Sequence, residues 1–143
     1  MPHSRHRSWI EIQKKLAGLH HPSMGHEHDI VWVPNTDVIE HADGLLVRME
    51  IAGVDPHTIE IIAAQSALVV SGNRPNPHTG ATAQGYRFRQ MEIEYGRFER
   101  VIPLPYPVKQ ESIRASCTNG LLEIHLAKAP SGQRRKTVIR IQW

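Results

Sequence analysis

The most regular pattern in the chain is an alternation of apolar and polar residues that begins after Pro34. In Leu45–Ile51 every odd-numbered position is apolar, whereas the positions between them include charged residues. Ile59–Ile61 repeats the alternation, and Leu68–Val70 is a short continuous apolar run. A period of two is typical of β-strands with one buried face. The pattern therefore predicts strands over most of the sequence.

Turn-forming residues separate these runs at intervals of roughly 10 residues, which is the spacing of strands in a β-sandwich. They occur at Asp43-Gly44, at Gly53–Pro56 and at Ser71–Pro75. The clearest turn is Asn119-Gly120, because this dipeptide tolerates positive φ at both central positions and joins antiparallel strands. It predicts a β-hairpin over Ala115–Leu126.

Two further strands are predicted beyond an irregular loop at residues 75–84. Tyr86–Phe88 is expected to be a short strand, and Met91–Ile102 a longer strand with a bend at Gly96. Three closely spaced prolines, beginning with Pro103, then end the pairing, because proline lacks the amide donor that a central strand needs. About eight strands are expected in all.

The segment Ser8–Leu19 has helical spacing instead. Ser8 and Glu11 make a capping box at its start. Its apolar face carries Trp9, Ile12, Leu16 and Leu19. A helix of about 12 residues is marginal alone in water, so this face must pack on its own domain, on another subunit or on a client protein. A linker rich in histidine, glycine and proline follows the helix.

Length and composition restrict the class of protein. At 143 residues the chain can bury one core, so we expect one domain of about 100 residues with tails. The net charge of +3 comes from interspersed charges, which argues against a nucleic-acid partner. Cys117 is the only cysteine, which excludes an internal disulfide and favours a reducing, cytoplasmic location. No apolar run approaches the roughly 18 residues of a membrane span, so no membrane partner is expected.

The sequence offers little catalytic or cofactor chemistry. It lacks both the G-x-x-x-x-G-K-[ST] and the G-x-G-x-x-G phosphate-binding motifs, and no serine stands in a nucleophile elbow. We therefore expect no enzyme, no cofactor and no dependence on ATP. Cys117 lies in a predicted strand and is interpreted as a small buried hydrophobe. His20, His21, His26 and His28 could bind zinc or nickel, but their flexible linker favours a solvated segment, so no metal site is predicted.

Several short motifs follow one another along the chain: Pro34, Asp37–Glu40, Ala52–Val54, Ser71–Arg74, Tyr95–Arg100, Leu104-Pro105, Ala115–Leu122, Lys128 and an Ile-x-Ile motif at Ile139–Ile141. Each motif is weak alone, but the order and spacing together are specific. The series resembles the α-crystallin domain of small heat-shock proteins, in particular their bacterial and plant branch.

The resemblance implies an all-β fold, an immunoglobulin-like β-sandwich with a short N-terminal helix and an extended C-terminal tail. It divides the chain into an N-terminal arm at residues 1–33, a sandwich domain at residues 34–128 and a tail at residues 129–143. It also implies a dimer in which Tyr86, Arg87 and Phe88 pair as a strand with the partner's sheet. A strand on a long loop can satisfy the unpaired edge of another chain and so close a two-fold interface.

The resemblance further implies that Ile139 and Ile141 dock in an apolar groove on a neighbouring copy and so build a larger homo-oligomer. Residues at i and i+2 project from the same side of an extended segment, so both isoleucines can enter adjacent pockets while Arg140 faces water. The alternative is a terminal strand within its own domain. The implied groove lies between two strands and is lined by Ile59, Ile61, Ala63, Ile113, Ala115 and Cys117.

These expectations together indicate a stress-response chaperone. We expect an ATP-independent holdase that binds partly unfolded client proteins and suppresses their aggregation. An alternative is a co-chaperone-like adaptor of the same sandwich fold that binds one folded partner and stays monomeric. Client contact is assigned to apolar residues of the arm, namely Trp9, Ile10, Ile12, Leu16 and Leu19.

Overall fold

The structure is a computed structural model that describes residues 32–64, 66–78, 80, 84–130 and 137–143. The predicted helix Ser8–Leu19 and the histidine-rich linker lie outside the described residues. None of the described residues forms a helix of the length and apolarity that crossing a membrane would require.

The described residues form nine strands in two sheets. A larger sheet has the order β1-β2-β7-β6-β9 and a smaller sheet the order β5-β4-β3-β8. Two short 3₁₀ turns accompany them, at Pro56–Thr58 and Gln110–Ser112. The strands are β1 (Thr36–His41), β2 (Gly44–Glu50), β3 (Glu60–Ala63), β4 (Ala67–Arg74), β5 (Gly96–Pro103), β6 (Arg114–Thr118), β7 (Leu121–Ala127), β8 (Thr137–Val138) and β9 (Ile141–Gln142).

The hydrophobic core lies between the two sheets. In the larger sheet the apolar residues of β2 face those of β7, with Val47 opposite Ile124 and Met49 opposite Leu122. Such cross-strand apolar pairs stabilise antiparallel sheets. The smaller sheet contributes the alternate residues of its strands. Buried members of the core include Leu45, Val47, Met49, Ile61, Ala63, Leu68, Val70, Phe98, Ile102, Leu122, Ile124 and Leu126. The alternating pattern thus correctly predicted a two-sheet β-sandwich.

The predicted hairpin is confirmed. β6 and β7 pair antiparallel around Asn119 and Gly120, whose φ angles are 52° and 78°. Positive φ at both positions is what the turn needs, and glycine also allows close packing. A Cβ on Gly120 would come within 2.9 Å of the Ala52 Cβ, while the Gly120 carbonyl accepts a 2.8 Å hydrogen bond from the Ile51 amide. The hairpin turn is therefore fixed against the end of β2.

The turn predicted at Ser71–Pro75 is wrong, because β4 continues through these residues to Arg74. Gly72 pairs with Phe98 in β5, and a Cβ on Gly72 would lie 2.7 Å from the Phe98 ring. The glycine therefore makes room for an aromatic ring inside a strand. Gly72, which suggested a turn in the sequence, is needed for packing against Phe98 instead.

The strands predicted at Tyr86–Phe88 and Met91–Ile102 are also corrected. β5 begins only at Gly96, and residues 86–88 and 91–95 belong to no strand. The physical reason is that β4 ends at Arg74, which is the pairing partner of Gly96. Residues before Gly96 extend beyond the end of β4 and have no β4 residue opposite them. Alternation of apolar and polar residues therefore does not make them part of the β4–β5 pairing.

Candidate assembly surfaces

The C-terminal tail lies in a groove at one edge of the sandwich. Val138 in β8 pairs antiparallel with Ile62 in β3, and the Ile139 amide donates a 3.2 Å hydrogen bond to the Ile61 carbonyl. Ile141 in β9 then pairs with Ala115 in β6, this time in parallel. The tail therefore crosses from the smaller sheet to the larger one and closes the open side of the core between them.

The structure brings the predicted groove residues together around this tail. Four of them are buried in the core, namely Ile61, Ala63, Ile113 and Ala115. Two others, Ile59 and Cys117, are partly buried and pack against the core, as do Ile139 and Ile141 of the tail, while Arg140 is exposed. In this single chain the groove and the tail belong to the same copy, which is the arrangement given as the alternative in the sequence analysis.

Cys117 lies in the groove strand β6 and packs there as a partly buried apolar residue. Its side chain is partly buried against the core. Burial raises the pKa of the Cys117 thiol above its ordinary value. The thiol is therefore protonated at neutral pH, and a protonated thiol is a poor nucleophile.

A second surface is formed by the segment Tyr86–Ile93, which carries four exposed large apolar side chains. Tyr86 is 64% exposed and Ile93 61%, and Phe88 and Met91 are also exposed. The ring of Phe88 meets the ring of His78 edge-on at 5.8 Å. Arg87 is exposed with them. The residues assigned to the dimer swap thus lie on the surface of this chain, outside its sheets.

β1 is the outermost strand of the larger sheet in the described chain and pairs only with β2 there. Five of its six residues are exposed, and they include Val38 at 47% and Ile39 at 41%. An outer strand presents unpaired amide and carbonyl groups to any extended segment that approaches it. The described part of the chain therefore has both an apolar segment without a strand partner and an outer strand with one free side and two exposed apolar residues.

Arg74 holds the base of the exposed segment in place. Its Nε donates a 2.8 Å hydrogen bond to the Ala52 carbonyl, and its Nη1 donates a 2.9 Å hydrogen bond to the Glu94 carbonyl. The guanidinium also stacks over the ring of Trp32 at 3.8 Å. Trp32 Nε1 in turn donates a 2.8 Å hydrogen bond to the Gly96 carbonyl. One side chain thus joins the end of β2, the end of β4 and the start of β5.

Sequence reasoning missed this role, because it placed Arg74 in a turn and in a family motif but assigned no contact to its side chain. A surface depression of about 770 Å³ surrounds the contact and includes Trp32, Arg74 and Tyr95 in its lining. The local sequence does not identify the distant partners of Arg74. The usable signal was only that an arginine directly precedes a loop without periodicity.

The predicted client residues of the arm lie outside the described residues, as do His20, His21, His26 and His28. The described part of the chain holds no cluster of three or more potential metal ligands.

The fold and its surfaces define a two-sheet β-sandwich domain with a tail that pairs with both sheets. Comparison with known proteins then identifies the family. Residues 37–142 match the model of the Hsp20/alpha crystallin family. The chain belongs to this family, and chaperone action and stress response are the functions of the class.

Individual relatives agree. The chain is 33% identical over 101 residues to the 17.7 kDa class II heat shock protein of Arabidopsis thaliana, covering 70% of this chain and 64% of that protein. It is 30% identical over 105 residues to heat shock protein 16 of Schizosaccharomyces pombe, covering 73% of each. The crystal structure of hspA from Xanthomonas axonopodis superimposes with a TM-score of 0.62 at 32% identity, covering 71% of this chain and 98% of that one. The match thus spans less than two thirds of the Arabidopsis protein.

Proposed function

We propose that this chain is an ATP-independent holdase that assembles as a homo-oligomer of strand-swapped dimers in the cytoplasm. The observation that carries the proposal is the exposed apolar segment Tyr86–Ile93, which pairs with no strand among the described residues. Membership of the Hsp20/alpha crystallin family supports the chaperone class. The single cysteine supports a reducing location.

The dimer forms when Tyr86–Phe88 of one chain adds to β1 of its partner. β1 supplies one free side and exposed apolar residues at Val38 and Ile39, and the segment supplies Tyr86 and Phe88. Strand addition satisfies backbone groups on both chains, and apolar side chains on alternate positions add affinity. When the partner adds its own Tyr86–Phe88 segment to β1 of the first chain, the interface becomes two-fold symmetric.

Larger assemblies form when the tail leaves its own groove and enters that of a neighbour. The tail makes only short ladders, with two residues in β8 and two in β9. The chain between Pro130 and Thr137 can span about 25 Å when extended, which sets the reach of an exchanged tail. Exchange of an identical element costs little, because the contacts on the two copies are the same.

Client binding requires apolar surface and no chemistry. Partly unfolded proteins expose apolar side chains, and a chaperone that binds them competes with their aggregation by mass action. The contact residues are those of the arm, Trp9, Ile10, Ile12, Leu16 and Leu19, together with grooves from which the tail has departed. Heating favours tail departure, since the short ladders are the weakest part of the assembly.

The experiment combines two substitutions in the tail, Ile139→Ala and Ile141→Ala. Both side chains pack against the core, so their loss weakens docking wherever the groove is located. We expect the native mass by light scattering to fall from a large oligomer to a dimer. The matched control is Gln142→Ala, which changes an exposed residue of the same strand. An unchanged mass in the double variant, or a monomeric parent chain that leaves a heated test protein to precipitate, would overturn the proposal.

The adaptor alternative retains support from one observation, since the tail occupies the groove of its own chain. A self-docked tail does not link neighbouring copies, and a monomer with one folded partner is then the simplest form of the adaptor. Native mass separates the two functions, because the adaptor stays at 16.2 kDa at all concentrations.

A further inference from the structure

The outward face of the larger sheet carries charges that alternate in sign from one strand to the next. Asp37 in β1 lies opposite Arg48 in β2, and Arg48 lies opposite Glu123 in β7. The Arg48 Nε and the Glu123 Oε1 are 2.9 Å apart and form an ion pair. Opposite charges on facing residues stabilise a sheet, whereas like charges destabilise it. We call these three residues the charge row, and it ends with a negative charge on β1.

Asp37 is the open end of the charge row. It is exposed, and its carboxylate makes no ion pair or hydrogen bond with any described residue. Arg48, which lies opposite Asp37, donates its Nε hydrogen bond to Glu123 instead. On the other side of β1 the described chain has no strand. A strand that adds to β1 therefore places one residue opposite Asp37, and a cation there extends the alternation of charge.

The segment Tyr86–Phe88 contains such a cation. In an extended segment the rings of Tyr86 and Phe88 project to one side, and Arg87 between them projects to the other. All three residues are exposed, and the Arg87 guanidinium makes no ion pair or hydrogen bond with the described residues. Addition of this segment to β1 of a partner chain therefore brings two rings to one face of the sheet and one positive charge to the opposite face.

The core-facing side of β1 indicates where the two rings lie. Val38 is opposite Val47, which is 0% exposed, yet Val38 itself is 47% exposed. An apolar residue on the buried face of a sheet gains free energy when it is covered, and the rings can cover it. Thr36 and Glu40 lie on the same side, two residues away in each direction. Burying a carboxylate beneath a ring is costly, so the rings are expected on Val38 and Thr36.

This position of the rings fixes the register for either direction of the added strand. In a parallel strand the first ring lies opposite Thr36 and the second opposite Val38, and in an antiparallel strand the two rings exchange places. Arg87 stands between the rings, just as Asp37 stands between Thr36 and Val38. The two charges therefore face each other in both arrangements, on the face that carries the charge row.

We propose that Arg87 of each chain pairs with Asp37 of the partner subunit and that this pair determines the register and the partner of the swapped dimer. The inference rests on the proposed function, since it assigns the residues that determine specificity in that dimer. Complementary charges suppress wrong pairings more than they add affinity. A slip by one residue turns Arg87 to the other face and loses the pair. The rings thus supply affinity, and Arg87 supplies specificity.

Charge reversal in mixed chains tests the pair. The homodimer of Arg87→Asp faces two negative charges at each of its two contacts, and the homodimer of Asp37→Arg faces two positive charges. In a mixed dimer of the two variants both contacts regain opposite charges. We expect each homodimer to be about tenfold weaker than the parent dimer, because two attractions become repulsions. The share of mixed dimers in an equimolar mixture then rises from one half to about nine tenths.

Two measurements on full chains provide the readout. Native mass spectrometry counts the mixed dimers when one variant is labelled with ¹⁵N, and sedimentation velocity gives each dissociation constant. A single chain that carries both Arg87→Asp and Asp37→Arg regains the pair, so its dissociation constant is expected within about twofold of the parent value. Recovery in this chain and in the mixed dimer also shows that each variant folds.

Matched controls test the register. Arg89→Asp makes the same change two residues further on and is expected to leave the homodimer unchanged. Glu40→Arg reverses a charge on the core-facing side of β1, and its mixture with Arg87→Asp is expected to show no preference for mixed dimers. A preference for mixed dimers with Glu40→Arg would place Arg87 on the core-facing side and so contradict the pair. Weakening by Arg89→Asp as large as that by Arg87→Asp would contradict it as well.

Failure of the pair and failure of the proposed function give different results. If the parent chain is dimeric and the homodimers of Arg87→Asp and Asp37→Arg keep its dissociation constant, the pair is wrong and the dimer stands. If the parent chain is monomeric at all concentrations, the swapped dimer is wrong and the pair is wrong with it. Suppression of the aggregation of a heated test protein is recorded for the same samples and reports the holdase function independently.

Discussion

The tail groove and the segment Tyr86–Ile93 present apolar residues in opposite ways. In the groove, Ile139 and Ile141 pack against the core, and two short ladders pair the tail with β3 and β6. In the segment, Tyr86 and Phe88 face solvent and no strand of the described chain pairs with them. Both are interpreted as assembly elements, yet one chain satisfies the first and leaves the second unsatisfied.

The difference between the two regions indicates which contact needs a second copy of the chain. A single chain can fill its own groove, so tail exchange between copies is close to neutral in contact energy and is controlled by concentration and temperature. For the exposed segment, the described part of the chain provides no pairing strand. Exposed apolar residues that are grouped together mark an interaction site, so dimerisation should precede and outlast the larger assembly.

The largest effect is expected when the exposed segment is made acidic by Tyr86→Asp together with Phe88→Asp. The double variant loses two apolar contacts of the dimer, and we expect its dimer dissociation constant to rise about 100-fold, or about 3 kcal/mol. Sedimentation velocity over a concentration series measures it. Arg89→Asp is the control, since Arg89 is exposed in the same segment. Equal weakening by the control would show that charge alone acts.

The next effect is expected for Arg74→Ala, which releases the base of the segment. The variant loses two hydrogen bonds to backbone carbonyls and the stacking on Trp32. We expect the free energy of unfolding to fall by about 2–3 kcal/mol, measured in urea at fixed protein concentration. Arg89→Ala, with no described contact, is expected to change it by less than about 0.5 kcal/mol. Equal stability of the two variants would contradict the anchoring role.

The smallest effect concerns the groove and uses Cys117 as a reporter. Deleting residues 137–143 uncovers β6, so the raised pKa of the Cys117 thiol should return toward its ordinary value. A lower pKa gives more thiolate at pH 8, and alkylation is expected to be about fivefold faster. The intact chain under the same conditions is the control. An unchanged alkylation rate would mean that the tail does not cover this strand.

Features that depend on residues close together in sequence were predicted, and features that depend on contacts between distant segments were not. The hairpin at Asn119-Gly120 and the strand over Leu45–Ile51 depend on neighbours in sequence, and both were predicted. The start of β5 depends on where β4 ends, and Gly72 on the ring of Phe98. Both are contacts between distant segments, so local pattern gave the wrong strand boundaries there.

The candidate surfaces divide in the same way. Spacing of two residues suffices to place Ile139 and Ile141 on one side of an extended tail, and the family resemblance supplied the strands that form their groove. No pattern in one sequence identifies the copy that owns the groove. The contact between Arg74 and Trp32 was missed because stacking of distant side chains leaves no local periodicity.

The two ladders of the tail also set its polarity. Ile139-Arg140-Ile141 reads the same from either end, so its side chains alone do not select a direction of entry. β8 runs antiparallel to β3, whereas β9 runs parallel to β6. The backbone bonds, including that of the Ile139 amide, therefore orient a motif whose side chains are symmetrical. A peptide inhibitor that copies this tail needs these backbone bonds as much as the isoleucine side chains.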